Sequence, residues 1–487
     1  MGISQHSPFD PEPNTDDLIA GFQDNDTWST NSSDSNAFWV DELGGDGAYS
    51  AIADNGRTQY MSAQGAAIIR QNYDDDGNSE SFSFVKPAEP SLLDFSFINP
   101  FILDSNNDNI MYLPVKNNIW RNRNLDEIPV FTSGTGRATV NWKKLENSST
   151  PDESIVTPLG TSKFPIANRL YYGTDSGVVF RMDNANMDDQ PAVDVTTGKG
   201  LPTGFINDIN VDPSDADRVI ITYSNYGLPS VFITENGGET WTDISGNLEE
   251  STDGTGNGPS VRSTAFHGGS KGKGGFPKRI FAATSTGLYY TFRLNGQNTV
   301  WTKENFAIAN SVTDEVVTRK DGLVAVAAHG AGVFSVRFPI DKSSLPESTL
   351  STAFLLDDFE LLKNTQQTKE IDITGLFIQS QGLPIDIEMI NSNPELVTVT
   401  LSGTMVKLAY TPDASGTASI GFIATSGEEQ VSEGFTVSIL EPSIYEQTII
   451  GPGRVPSQNF IDSNALAQAA DDFTIPEKGI FGILRAY

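Results

Sequence analysis

The sequence predicts an all-β protein of more than one domain, and three observations carry that prediction. Gly (44) and Pro (26) are spread with Asn, Asp, Ser and Thr between short apolar runs, the punctuation of many turns. An apolar run, a polar or Gly turn and a second apolar run recur seven times before residue 340. At 487 residues the chain exceeds one ordinary domain, so its apolar residues must be divided among several cores.

The seven copies begin at Asp17, Gln59, Asn109, Arg169, Arg218, Arg279 and Leu323, so successive starts lie 42 to 61 residues apart. A hairpin at that spacing, roughly 40 to 50 residues plus loops, is the unit of a four-stranded β-propeller blade. Asp10-Pro11, Asn99-Pro100 and Asp212-Pro213 precede three of the hairpins. Pro there is expected to end the innermost strand, because it cannot donate to the sheet ladder. The fifth copy is the fullest, with an inner strand before Pro213 and an outer strand after Trp241. Between them T-E-N-G-G-E-T-W sets Thr234, Asn236, Gly238 and Trp241 at a tight turn, with the indole folding back as an apolar plug. The last copy stops after three strands and the chain opens on an inner strand. Residues 1–340 are therefore expected to form a β-propeller of about seven blades, incomplete because upstream sequence is missing.

Residues 341–369 turn to Ser, Thr, Leu and Gln and read as a linker with one or two strands. Residues 370–440 alternate apolar and polar positions in short strands, as a β-sandwich requires. Residues 441–487 read as the start of a further β domain too short to close a core.

Several motifs resemble known families. T-E-N-G-G-E-T-W has the form of the Asp-box (BNR repeat), found in the propellers of sialidases, sortilin-type receptors and two-propeller xyloglucanases. G-F-Q-D-N-D-T-W (21–28), G-G-D-G-A-Y-S (44–50) and A-A-H-G-A-G-V-F-S (327–335) resemble motifs of secreted Bacteroidetes propeller proteins. The last departs at Ala331, where that family carries Arg. S-N-P-E-L-V-T-V (392–399) and A-S-G-T-A-S-I (414–420) resemble a cadherin-like, dystroglycan-type immunoglobulin-like domain over 370–440. Its calcium turn is replaced here by I-Q-S-Q-G (378–382). The resemblance implies an extracellular or outer-surface protein, exported by type IX secretion as part of a longer precursor.

Charge narrows the partners. Asp and Glu number 63 against 31 Lys and Arg, a formal net charge of −32, which argues against nucleic acid and anionic membranes. No apolar run approaches the ~20 residues that span a bilayer, so no membrane insertion is expected. The absence of Cys removes disulfides and thiolate metal sites.

Candidate chemistry rests on a few residues, each with a plainer reading. Asp24 and Asp46 are the catalytic candidates, since glycoside hydrolysis needs two carboxylates roughly 5 to 9.5 Å apart. Gly45-Asp46-Gly47 is similar to the segment that supplies the acid in two-propeller xyloglucanases; Asp46 capping a turn between glycines is the competing account. Asp74 with Asp76, and Asp104 with Asp108, place oxygens at alternating positions suited to calcium, or simply form solvated turns. No other cofactor is implied. Trp28, Trp39 and Tyr49, with Trp120, suit either a carbohydrate platform or packing between strands. Arg57, Arg70, Arg121, Arg169, Arg181 and Arg262 sit mostly at hairpin ends, so the arginine triad of a sialidase is not expected. His6, His267 and His329 are too scattered to suggest a metal site or triad. The favoured function is a non-catalytic secreted or cell-surface binding or adhesion protein that contacts polysaccharide or a surface protein. The alternative is a propeller-type glycoside hydrolase using Asp24 and Asp46. The sequence fixes no oligomeric state.

Overall fold

A computed structural model describes residues 2–5, 16–34, 36–74, 76–130, 140–187, 190–267, 279–338 and 349–441. Asp10-Pro11, His6, part of the linker and the expected third β domain after residue 441 lie outside the described residues. The protein is all-β, built mainly of small antiparallel sheets. No described helix is long and apolar enough to cross a membrane.

Seven sheets follow one another along the chain, each a meander in chain order. Six have four strands; the seventh has three, Thr313–Thr318, Leu323–Ala328 and Gly332–Arg337. All seven sequence copies coincide with second-to-third-strand hairpins, from Leu18–Gly21 with Thr27–Thr30 to Leu323–Ala328 with Gly332–Arg337. In the fifth sheet the strands are Ile206–Asp212, Asp215–Tyr223, Val231–Thr234 and Thr242–Asp243. Asp212-Pro213 ends the first of these as expected. Asn99-Pro100 instead precedes the first strand of its sheet, Ile102–Leu103. There Pro is tolerated at a strand start, and Asn99 donates to the carbonyls of Pro100 and Pro114 at 3.0 Å each.

Side-chain alternation on the second strands explains how the sheets pack. Met111 and Leu113 enter a core shared with the second sheet, while Tyr112 between them enters a core shared with the fourth. Leu170 and Tyr172 face the third sheet and Tyr171 the fifth; Val219 and Ile221 face the fourth and Ile220 the sixth. Phe281 and Ala283 meet Val324 and Val326 of the seventh sheet. Leu323, Ala325 and Ala327 then meet Leu18 and Ala20 of the first, whose Ile19 packs on Met61 of the second. Each sheet is thus buried on both faces, which is why its central strand reads as a continuous apolar run. The cores connect the seven sheets in cyclic order, the seventh joined to the first by packing and by Arg319 and Arg337 around Asp16 and Asp321.

The second body begins near Leu350, because two strands in the expected linker belong to it. Leu350–Thr352 pairs with Phe377–Gln379, and Phe359–Leu362 runs parallel to Glu429–Leu440. A three-stranded sheet containing Met405–Tyr410 and a four-stranded sheet containing Gly416–Ser426 face each other over Val406, Leu408, Ile420, Phe422 and Phe435. The strand Glu429–Leu440 docks on the third and fourth sheets of the first body. Gln430 exchanges backbone hydrogen bonds with Pro165 and Ala167 at 2.8 Å each, and Ser432 exchanges side-chain and backbone bonds with Asn186. Glu433, 1 % exposed, is ion-paired with Arg123.

Candidate functional site

The first strands of the second to seventh sheets enclose a cavity of about 460 Å³. These strands run side by side, and where two inner strands meet without a ladder their backbone groups are satisfied by side chains. The Thr157 hydroxyl donates to the Ile206 carbonyl at 2.7 Å, and the Thr318 hydroxyl to the Phe266 carbonyl at 2.6 Å. Asp208 accepts from the Thr264 amide at 2.8 Å and its hydroxyl at 3.1 Å. One carboxylate thereby ties the fifth sheet to the sixth and lines the cavity.

At the end where the inner strands begin, four sheets contribute polar groups: Tyr49, Asp208, Arg262, and the pair Asp314 and Glu315. Burial pushes the Asp208 carboxyl up to about 6. Burial also raises the Tyr49 phenol, and the charges of Glu315 and then Asp208 raise it further. Arg262 forms an ion pair with Asp314, and His329 Nδ1 lies 3.6 Å from the same carboxylate. Ser50 also lines the cavity, and its hydroxyl is buried without a hydrogen-bond partner. Asp104 and Asp108 line the opposite end.

Of the four aromatic candidates, Tyr49 lines the cavity, and Trp120 is buried in the core between the second and third sheets. Trp39 packs in the core between the first and seventh sheets, and the Trp28 indole donates to the Asn25 carbonyl at 2.9 Å. Asp24 and Asp46 do come together, on two exposed turns beside the mouth, where the neighbouring Gln23 and Gly47 line the cavity. Asp46 accepts from the Asp24 amide at 3.0 Å, and its carboxylate raises the pKa of Asp24 by accepting a hydrogen bond from the protonated Asp24 carboxyl and by charge repulsion. Asp74 accepts from the Asp76 and Asn78 amides at 2.9 and 2.8 Å, closing its own turn. Asp104 is buried, its oxygens taken by Asn106 and the Tyr112 hydroxyl, and Asp108 accepts from the Asp54 amide at 2.8 Å. Among the described residues no group of three or more acidic or His side chains is placed to hold a metal ion.

The turn at Thr234 joins sheets. Thr234 accepts from the Gly238 amide and Asn236 from the Thr240 amide, at 2.9 Å each, while Gly237 and Gly238 take φ of 64° and 89°. A Cβ on Gly238 would lie 2.6 Å from Val195 Cβ, so only Gly fits this approach to the fourth sheet. The Trp241 indole donates to the Val195 carbonyl at 2.7 Å. Trp301 repeats the device one sheet later, donating to the Ile244 carbonyl at 2.9 Å. Its turn, N-G-Q-N-T-V-W, carries Thr299 two residues before the Trp instead of one, and this offset hides it from the motif.

The arginines are spent on the scaffold. Arg70 donates to the Ile128 carbonyl, Arg121 to those of Ala185 and Met187, and Arg169 pairs with Asp183 and Asp217. Among the described arginines only Arg262 lines the cavity, already paired with Asp314. His267 is buried against Phe281 and Phe338, and burial lowers it to about 4, so it is neutral at pH 7.

No protein-family model matches the chain, and no curated protein matches it. Among solved structures 644 chains match. One, described as "Structure of U3-55K", is 12% identical, covering 59% of this chain and 76% of that one at a TM-score of 0.38. A likeness that distant carries no argument about function.

Proposed function

We propose that the seven sheets are the blades of an Asp-box β-propeller, that the second body is an immunoglobulin-like, cadherin-like sandwich, and that the whole is a non-catalytic binding protein. It acts outside the cell or on its surface, where it contacts polysaccharide or a protein partner through the cavity mouth. The observation that carries the reading is the axial cavity, rimmed by Tyr49, Asp208, Arg262 and Glu315 and left open by seven cores in cyclic order. A concave site with an apolar wall and a few convergent polar groups is the usual form of a ligand site. Neither acidic loop is assigned calcium, because the carboxylates of Asp74, Asp104 and Asp108 already accept from nearby amides and a hydroxyl.

The glycoside hydrolase reading keeps one supporting observation: Asp24 and Asp46 lie together beside the mouth, and Asp24 holds its proton more tightly there. Hydrogen-bonded carboxyls, however, leave no room for the sugar carbon or water that needs roughly 5 to 9.5 Å between them. The deciding experiment presents the full chain to a glycan array and follows reducing ends in parallel. Retention of a glycan without cleavage is expected. Release of reducing ends that disappears in Asp46→Asn would establish the hydrolase instead.

A further inference from the structure

We propose that a second pocket, between the fifth and sixth sheets, binds a carboxylate carried on a short apolar or aromatic body. It lies at the end of the sheets away from the cavity mouth and is independent of the polysaccharide or protein contact proposed there.

Strand ends build this pocket. The inner strands of the two sheets finish at Asp212 and His267, their second strands carry Arg218 and Arg279 near their starts, and the third strand of the sixth sheet finishes at Thr291. Together they enclose about 140 Å³, on the order of a cavity that takes up one benzene ring. Phe266 and Ile280 are buried in its wall, while Glu235, Phe292 and Arg293 are exposed and form its rim.

Charge selects the ligand. The guanidiniums of Arg218, Arg279 and Arg293 meet the carboxylates of Asp212 and Glu235. Both carboxylates are engaged by Arg218, at 2.7 and 3.6 Å. Arg279 and Arg293 have no ion-pair partner among the described residues, and the sequence from 268 to 278 contains no Asp or Glu. The Arg279 guanidinium carbon lies 4.0 Å from the centre of the Phe338 ring and 5.2 Å from that of Phe292. Stacking on rings holds the guanidinium plane and leaves its N–H edge for an acceptor, the geometry that a carboxylate meets with both oxygens. Burial pulls Arg279 below the usual guanidinium range and only Tyr290 acts against the shift, so a bound anion offsets what desolvation costs. His267 is neutral at pH 7, and the lining therefore carries one net positive charge. A monoanion balances that charge, whereas a dianionic sulfate or phosphate would leave one negative charge facing Asp212 and Glu235. The apolar wall of Phe266, Ile280 and Leu294 favours a carboxylate with an apolar body over a sugar acid.

Fluorine NMR titration of the full chain with para-fluorobenzoate, at fixed ionic strength and with para-fluorobenzamide as its neutral isostere, tests this. Saturable binding of the benzoate is expected, at least about tenfold tighter than that of the benzamide, which brings no charge to the guanidinium. Arg279→Met, which keeps an apolar side chain against Phe338, should weaken binding by about tenfold, and Arg293→Gln, at the exposed rim, by about threefold. Lys407→Gln, an equal change of charge in the second body, should leave it unchanged. Sulfate is expected not to displace the benzoate. Competition by N-acetyl-alanyl-phenylalanine identifies the end of a peptide chain as the source of the carboxylate, and failure to compete identifies a free acid. Both pocket variants are checked for an intact thermal transition, and Arg293→Gln carries the test if Arg279→Met fails to fold. Absence of saturable binding overturns the proposal, as do equal binding of the benzamide, displacement by sulfate, or indifference to both substitutions.

Discussion

At the scale of single residues, Asp208 shows how a site can be distinguished from scaffold. A carboxyl raised by burial to about 6 weakens the fold wherever it is ionised, so its ionisation runs against stability at neutral pH. The sign follows from linkage. Stability attached to this group is fully present below its ordinary value of 3.8 and is lost as pH rises through about 6. Asp208→Asn, which can still accept from Thr264, is therefore expected to stabilise the protein at pH 7.5 by about 1 to 3 kcal/mol. The difference from the parent should shrink between pH 6 and pH 4 in paired thermal melts. A variant that is less stable at pH 7.5 would mark Asp208 as a structural bridge alone. Asp24 carries no such argument, because it is exposed and its shift comes from one neighbouring carboxyl.

At the scale of elements, the indoles of Trp241 and Trp301 act as rivets between sheets. Each ends in a hydrogen bond to a carbonyl just past the last strand of the preceding sheet. Trp301 is 2 % exposed, so Trp301→Phe keeps most of the apolar burial while orphaning the Ile244 carbonyl. A loss of about 1 to 3 kcal/mol is expected from chemical denaturation. Trp241→Phe, at a half-buried position, should cost less; equal costs would show that the ring and not the N–H holds the sheets. Only the first of these rivets was legible in sequence, because recognition depended on Thr standing directly before Trp. The seven middle hairpins were legible for a better reason: strands buried on both faces leave continuous apolar runs that turn chemistry brackets. Outer strands such as Thr242–Asp243 and Thr302–Lys303 are two residues long and leave no pattern. The cavity mouth was hidden differently. Asp208, Arg262 and Glu315 are single residues on strands more than 50 positions apart, and each looks like an ordinary polar break in its own strand. Superposing I-N-D-I (206–209), V-R-S-T (261–264) and T-D-E-V (313–316) puts their polar pairs at one level, the one sequence signal that points to the site.

At the scale of the whole molecule, the two bodies are fastened together and do not act as beads on a linker. Met187 is held against the second body at Gly421, where a Cβ would lie 2.6 Å from its sulfur, and Arg121 fixes the Met187 carbonyl at 2.6 Å. The junction's charged centre is Arg123 with Glu433, whose carboxyl also accepts from the Leu356 amide at 3.1 Å. Burial raises the Glu433 carboxyl and Arg123 opposes the rise, so removing the arginine leaves a buried acid without its counter-charge. Breaking such a pair costs about 3 to 5 kcal/mol, enough to release one body from the other. The parent is expected to unfold in one calorimetric transition and Arg123→Met in two. Because an acid with a raised folded pKa is stabilised as pH falls, the variant's two transitions should converge again toward pH 4. Adding Glu433→Leu to Arg123→Met should restore most of the coupling, since two apolar residues replace the pair without an orphaned charge. If Arg123→Met melts as the parent does, docking rests on the backbone bridge at Gln430 and the Ser432–Asn186 bonds. A rigid junction means that the cavity mouth is held at a fixed angle to the second body, so a partner gripping both would meet one preformed surface.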